Sequence, residues 1–316
     1  MFDGRPAAAI GEAMVRGLMG LAVSDDDLDP RERRFLEINH ELLELPVALD
    51  ELRPATPAEV AAIVTSPEHR RDLMQRLVVM TALDEVIHPE ELRLLRLYAA
   101  AMDVDEPAVD AMQRLVEGRK RIVALDVARG GGRVRQAIVQ WQGRGEDGRG
   151  LGGVWELAKT LLGGVDKRLA ERYRRLAKFP QGTLGRVFYE HCMANGYRLP
   201  GERGGTPERL IFHDLGHVLA DYATDTFGEV QMGGFESGYM GEDGFSATLL
   251  VLLSFHLGVD ADAGGPTTRG AFNLDRYMRA FQRGKALKVD LREWDPWPFM
   301  DRPLAQVRAF LELPPP

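Results

Sequence analysis

Apolar positions along this chain recur at three- and four-residue spacing rather than alternating, and that pattern predicts helices. Residues 6 to 127 read as a series of them: Leu73, Leu77 and Met80 share one face, and Leu92, Leu95, Tyr98 and Ala99 another. Start signals agree. Thr56-Pro57-Ala58-Glu59, Ser66-Pro67-Glu68 and Asp105-Glu106-Pro107 each set a capping residue ahead of a proline in the first turn. Periodicity lapses over 129–153, where glycine, arginine and aspartate dominate around a short helical stretch near Ala137 to Trp141, as in an interdomain linker. It resumes at Val154 with an amphipathic helix to about Lys178, stopped by Pro180. A second helix runs from Thr183 to Asn195 with Gly196 as its C-cap, and a third opens at Thr206-Pro207-Glu208. No stretch alternates long enough for a strand. The expectation is an all-α chain of two helical domains, 1–128 and 154–316, joined by a Gly/Arg-rich linker over 129–153.

The N-terminal region holds a weak internal repeat. Asp27 to Leu36 lines up with Val86 to Leu95, each copy having an acidic turn (Asp25, Asp26, Asp27; Asp84, Glu85), a proline and a charged amphipathic helix. Ordinary helix starts account for that pattern as well. The repeat resembles the tellurite-resistance TerB-like helical domain, whose halves each turn on such a segment. The acidic turns offer oxygen ligands for a cation, but lack the alternate-residue ligands and central glycine of an EF-hand. The region has no histidine, serine or cysteine constellation, so interaction or regulation is expected of it rather than catalysis.

Composition removes several function classes. The 316 residues carry a net charge of -8 and a pI near 5.5, which argues against nucleic acid as a partner, since phosphate binding needs a clustered positive surface. The arginines of 129–153 fit a solvated linker better than an RNA-binding tail. A single cysteine, Cys192, rules out an intrachain disulfide and fits a reducing, cytoplasmic compartment. The N-terminus lacks the basic-then-apolar order of a signal peptide. The longest apolar run, Phe245 to Leu257, is too short to span a bilayer. The stretch from Val154 to Lys178 sets Leu157, Leu161, Leu162, Val165 and Leu169 near one side, with Lys and Arg elsewhere. That suits either an internal packing helix or peripheral contact with a membrane surface.

The chemistry concentrates in one segment, His213-Asp214-x-x-His217 followed after eleven residues by Glu229. Histidines four apart on a helix project from one face, so both imidazoles reach one ion. Asp214, about 100° round the helix, reaches the same ion from the side or orients a ligand. The eleven residues allow the helix to finish near Tyr222, turn at Thr224-Asp225-Thr226 and return, bringing Glu229 back as a fourth ligand. Two imidazoles and two carboxylates suit a divalent ion, zinc first, with iron or manganese as alternatives. Asp221, one turn further along the histidine face, is a candidate partner behind the ligands. Leu210, Ile211, Phe212, Leu215, Val218 and Leu219 make this a buried helix, where such polar groups need partners. His191 and His256 read as satisfied core residues, and His40, His69 and His88 as surface or turn residues.

The H-D-x-x-H-x₁₁-E pattern resembles the signature of the coenzyme Q biosynthesis protein "four" family. So do Phe179-Pro180-Gln181-Gly182-Thr183-Leu184-Gly185-Arg186 with the helix ending Ala194-Asn195-Gly196, Gly228-Glu229 with Phe235-Glu236, Tyr277-Met278-x-x-Phe281-x-x-Gly284-Lys285-Ala286, Trp294-x-x-Trp297 and Pro303-Leu304-x-x-Val307-Arg308. The similarity covers about 154 to 313. The N-terminal half is an addition, and Gly233-Gly234 with the glycines from Gly238 to Gly244 are smaller than the family pattern leads one to expect beside the site. The resemblance implies an all-α domain on the inner face of a membrane. It implies a metal held by His213, Asp214, His217 and Glu229, with Glu229 and Asp214 taking catalytic roles. It implies a prenylated aromatic lipid or quinone precursor as ligand, and oxidative decarboxylation and hydroxylation at ring carbon one of a prenylated 4-hydroxybenzoate. An apolar channel for the prenyl tail then draws on Leu184, Phe212, Phe245, Leu249 and Leu252, although the run from Phe245 to Leu257 reads equally as a core helix. The alternative is a lipid-binding scaffold with a structural metal that presents quinone intermediates to other quinone-biosynthesis enzymes. A homodimer is compatible with either.

Overall fold

The structure is a computed structural model that describes residues 6–24, 28–117, 165–259 and 268–315. The linker at 129–153, the stretch Ala137 to Trp141, the acidic turn Asp25 to Asp27 and the leucines Leu157, Leu161 and Leu162 lie outside the described residues. Within them the fold is all-α, and the only extended pairings are isolated bridges, Thr183 with Pro303 and Leu257 with Arg269. No helix among the described residues is long and apolar enough to cross a membrane. The chain divides into two compact units, Met1–Val127 with Thr248–Leu274, and Ala128–Ala247 with Asp275–Pro316.

The first unit contains α1 (Ala8–Ala22), α2 (Pro30–Leu42), α3 (Pro57–Ile63), α4 (Pro67–Thr81), α5 (Pro89–Met102) and α6 (Pro107–Val116). Prolines occupy the first turn of α2 through α6, where a missing N–H costs nothing. Thr56 and Glu59 form a reciprocal capping box, and Ser66 accepts the His69 N–H. The internal repeat is a repeat of caps. Glu32 accepts the Asp29 N–H at 2.9 Å and Glu91 accepts the His88 N–H at 3.2 Å, both carboxylates being buried. In the second acidic turn, Glu85 pairs with Arg31 at 2.9 Å and Asp84 accepts the Val86 N–H at 3.0 Å. Among the described residues these acids form no metal-holding group. Buried Tyr98 of α5 donates to Ala55 O at 2.7 Å, beside Gly17 and Gly20 of α1.

The second unit contains α7 (Lys167–Arg174), α8 (Leu184–Ala194), α9 (Ile211–Ala220), α10 (Thr226–Tyr239), α12 (Leu274–Lys285), counted from Asp275, and α13 (Leu304–Phe310). Its core gathers Tyr173, Leu184, Phe188, Leu215, Leu219, Met232, Phe235 and Leu311. The helix expected to run unbroken to Lys178 begins at Lys167, capped by Asp166, and tightens to a 3₁₀ turn over Arg175–Lys178. Val165 ahead of it is exposed, and Leu169 packs against the core.

One chain segment departs from the simple division at a linker. α11 (Gly244–Phe255) starts in the second unit, and from Thr248 the chain counts with the first. There the His256 imidazole meets Leu83 O at 2.8 Å, and Leu252, Leu253 and Val259 are buried. Helical periodicity reports that a face is apolar, not which unit covers it, so spacing gave no sign of this return.

Candidate metal centre

α9 is held at both ends. Ahead of it, the Glu208 carboxylate accepts from Tyr173 Oη at 3.1 Å and Trp297 Nε1 at 3.0 Å, which fixes a 3₁₀ turn over Glu208–Leu210. The α-helix therefore starts at Ile211 rather than at the Thr206-Pro207-Glu208 signal. At its other end, Arg308 donates to Leu219 O at 2.8 Å and Val218 O at 3.1 Å, and Arg283 to Ala220 O at 3.0 Å. These cations satisfy the orphan carbonyls and meet the negative end of the helix dipole. His213 and His217 stand one turn apart between these anchors, with ring centroids 4.9 Å apart and Nε2 atoms 3.3 Å apart.

The chain then reverses tightly. Asp225 caps α10 by accepting the Gly228 N–H at 2.8 Å. Gly228 lies so close to the preceding turn that a Cβ there would sit 1.9 Å from Ala223 O, so no other residue fits. Glu229 follows in the first turn of α10. Its Oε2 is 3.4 Å from His213 Nε2, and its Oε1 is 3.4 Å from His217 Nε2. Burial alone would raise the Glu229 pKa, but hydrogen bonds from the two histidines, and their charge, hold it well below the usual carboxylate range.

Among the described residues these three form the group that can hold a metal ion. The distances fit one. Bonds of about 2.0–2.1 Å at tetrahedral angles separate ligand atoms by roughly 3.3–3.4 Å, close to the 3.3 Å between the two Nε2 atoms and the 3.4 Å from each of them to the Glu229 oxygen that faces it. The far side of each imidazole is also engaged: His213 Nδ1 lies 2.8 Å from Glu236 Oε1, and His217 Nδ1 lies 3.1 Å from Tyr222 O. Such partners fix the tautomer that presents Nε2 to the ion and raise the ligand's basicity. Glu236→Gln keeps the shape and removes the charge, and is expected to weaken metal binding about 10–100-fold, as measured by competition with a chelator.

Other expected site residues fall elsewhere. Asp214 is not part of the triangle, although its charge reaches His191, Tyr197 and Cys192. Asp221 is exposed at the C-cap of α9 with φ 61, and the carbonyl after it, Tyr222 O, is what meets His217. The partner that sequence reasoning missed, Glu236, lies seven residues beyond Glu229, hence two turns along the same face of α10, and that spacing was the available signal. His191 was read as a satisfied core residue. Its ring instead stacks on His217, with centroids 5.9 Å apart and planes 22° apart, and its Nε2 is buried with no hydrogen-bond partner among the described residues. Burial raises the neighbouring Cys192 thiol to about 12, with Asp214 adding to the effect, so it is no nucleophile at neutral pH.

The residues assigned to a prenyl channel are all buried. Leu184 and Phe212 belong to the core of the second unit, which also contains Phe245, whereas Leu249 and Leu252 fall in the first. Phe212 also lines a cavity of about 350 Å³, together with Leu215, Arg172, Arg209, Arg292 and Trp297. Its mixed lining is not that of a purely apolar channel. Two of the glycines that are smaller than expected beside the site have a packing use. A Cβ on Gly234 would lie 2.6 Å from Tyr277 O, and one on Gly238 2.2 Å from Phe281 O, so these positions let α12 approach the α10 backbone.

No protein-family model matches the chain, and no curated protein matches it.

Proposed function

We propose that the second unit is a metal-dependent catalyst acting on the carboxylate of a prenylated 4-hydroxybenzoate, replacing that carboxylate by a hydroxyl at ring carbon one. The observation that carries the reading is the triangle of His213, His217 and Glu229: three protein ligands where a closed structural ion takes four. Two histidines and one carboxylate serve both catalytic zinc and non-haem iron, in each case with a position left for substrate or oxygen. The motif spacing shared with the coenzyme Q biosynthesis protein "four" family supports the choice of substrate. It also supports work at a membrane surface, where prenylated lipids reside, by a protein of the cytoplasmic side.

The reaction balances as aromatic acid, dioxygen, two electrons and two protons giving phenol, carbon dioxide and water. Bound iron or manganese supplies Lewis acidity and one-electron chemistry, whereas zinc, which has no accessible redox state, leaves the oxidation to an outside agent. The chain's own residues provide position. Glu236 and Tyr222 O orient the two imidazoles, and Glu229, held ionised, keeps its two oxygens turned to them. Asp214 acts beside the ion rather than on it in this reading.

The test is to incubate metal-loaded protein with a prenylated 4-hydroxybenzoate, oxygen and a reductant, and to follow carbon dioxide and the hydroxylated product. Turnover that disappears in Glu229→Ala while lipid binding persists is the expected result. Lipid binding without turnover on iron, manganese and zinc would favour the scaffold reading, in which the lipid is presented to partner enzymes.

A further inference from the structure

We propose that His191 is a ligand-binding residue of the metal centre, its Nε2–H donating to the anion that occupies the ion's open position. The assignment deepens the proposed function and rests on it only for the ligand's class, an aromatic carboxylate. His191 comes from α8, a different helix from the three triangle residues, and its ring lies against that of His217. Its ring stacks on His217 and meets the edge of Tyr197 with centroids 5.9 Å apart. Nε2 is closed off from solvent and has no partner among the described residues. A buried ring nitrogen without a partner is costly, and in native structures it commonly marks a place where something binds.

The surroundings fit that role. Asp214, Glu229, His213 and His217 are near enough for their charges to act on the His191 ring. His191 sits on α8 between Phe188 and Cys192, which are both core residues. A plain packing role would be filled as well by phenylalanine, and that sets the test.

The full-length protein is loaded with cobalt(II), and its visible absorption is titrated with two probes, azide and 4-hydroxybenzoate. His191→Phe keeps the stacked ring and removes the nitrogen, whereas His191→Gln restores a donor. His191→Phe is expected to keep its metal while binding azide and 4-hydroxybenzoate about tenfold more weakly, the size of one hydrogen bond to a charged group, with His191→Gln recovering most of the loss. Unchanged azide affinity in His191→Phe overturns the proposal. A parallel loss of metal also overturns it, since His191 would then be a ligand of the ion itself. Wild-type protein that binds neither probe overturns it too, because an ion without an open position gives His191 nothing to hold. Azide binding that depends on His191, in a protein that ignores 4-hydroxybenzoate, upholds His191 and sinks the aromatic acid reading.

Discussion

Replacing Glu229 by alanine is expected to abolish stoichiometric metal binding while leaving the helical fold in place. The carboxylate is the only anionic member of the triangle, and each of its oxygens faces one imidazole at 3.4 Å. Without it, two imidazole nitrogens 3.3 Å apart remain, too few ligands to retain a divalent ion against water. Losing an outer hydrogen-bond partner of a ligand typically costs about 10–100-fold in affinity, so losing the ligand is expected to cost more than about 100-fold. Helicity should persist, because α10 is capped by Asp225 and buried through Val230, Met232 and Phe235, none of which depends on Glu229. Isothermal titration with zinc, beside a far-ultraviolet circular dichroism spectrum, checks both halves. Glu229→Ala protein that binds zinc within about threefold of wild type would remove this residue from the ligand set.

The second large effect is expected at Gly284. A Cβ there would stand 2.0 Å from Phe235 O and 2.8 Å from Phe235 C, backbone atoms of α10 that cannot turn aside. Together with Gly234 and Gly238, this glycine sets the separation of α10 and α12. Gly284→Ala must push the helices apart, at about 3 kcal/mol for a well-packed site. For a unit of this size that corresponds to a fall of roughly 6–12 °C in Tm. Phe235 adjoins Glu236, so the same displacement loosens the carboxylate behind His213 and metal affinity should fall with it. Gly196→Ala is the comparison. That position has φ 69 but nothing within 4 Å, so only backbone strain of about 1–2 kcal/mol applies. Melting of full-length metal-free protein separates the two. A Gly284→Ala protein as stable as wild type would mean that α12 does not lie against α10 as described.

Helix starts were legible because their causes are local. Thr56, Ser66 and Glu106 cap the helices that their prolines begin, and the chain needs no distant contact for this. His213 and His217 could be paired from spacing, since a turn of helix brings positions four apart together. The return of Glu229 followed from turn chemistry at Thr224-Asp225-Thr226. Asp214 shows the limit of that reasoning. Its place 100° round α9 is compatible with reaching the ion from the side, and only the packed helices decide that it does not join the triangle. Composition misled at the glycines, where a small residue suits an open pocket and a close helix crossing alike. His191 illustrates the same gap: a lone histidine in an apolar helix reads as core until the ring next to it is known to be His217. The return of Thr248–Leu274 to the first unit left no mark in periodicity, because an apolar face does not record its cover.

The central claim is that His213, His217 and Glu229 hold one divalent ion, and elemental analysis of the purified full-length protein tests it most directly. The expected result is about one equivalent of a single divalent transition metal per chain, either as isolated or after reconstitution with zinc, iron(II) or manganese(II) and removal of the excess. Less than about a tenth of an equivalent of every such metal, with none recovered on reconstitution, would contradict it.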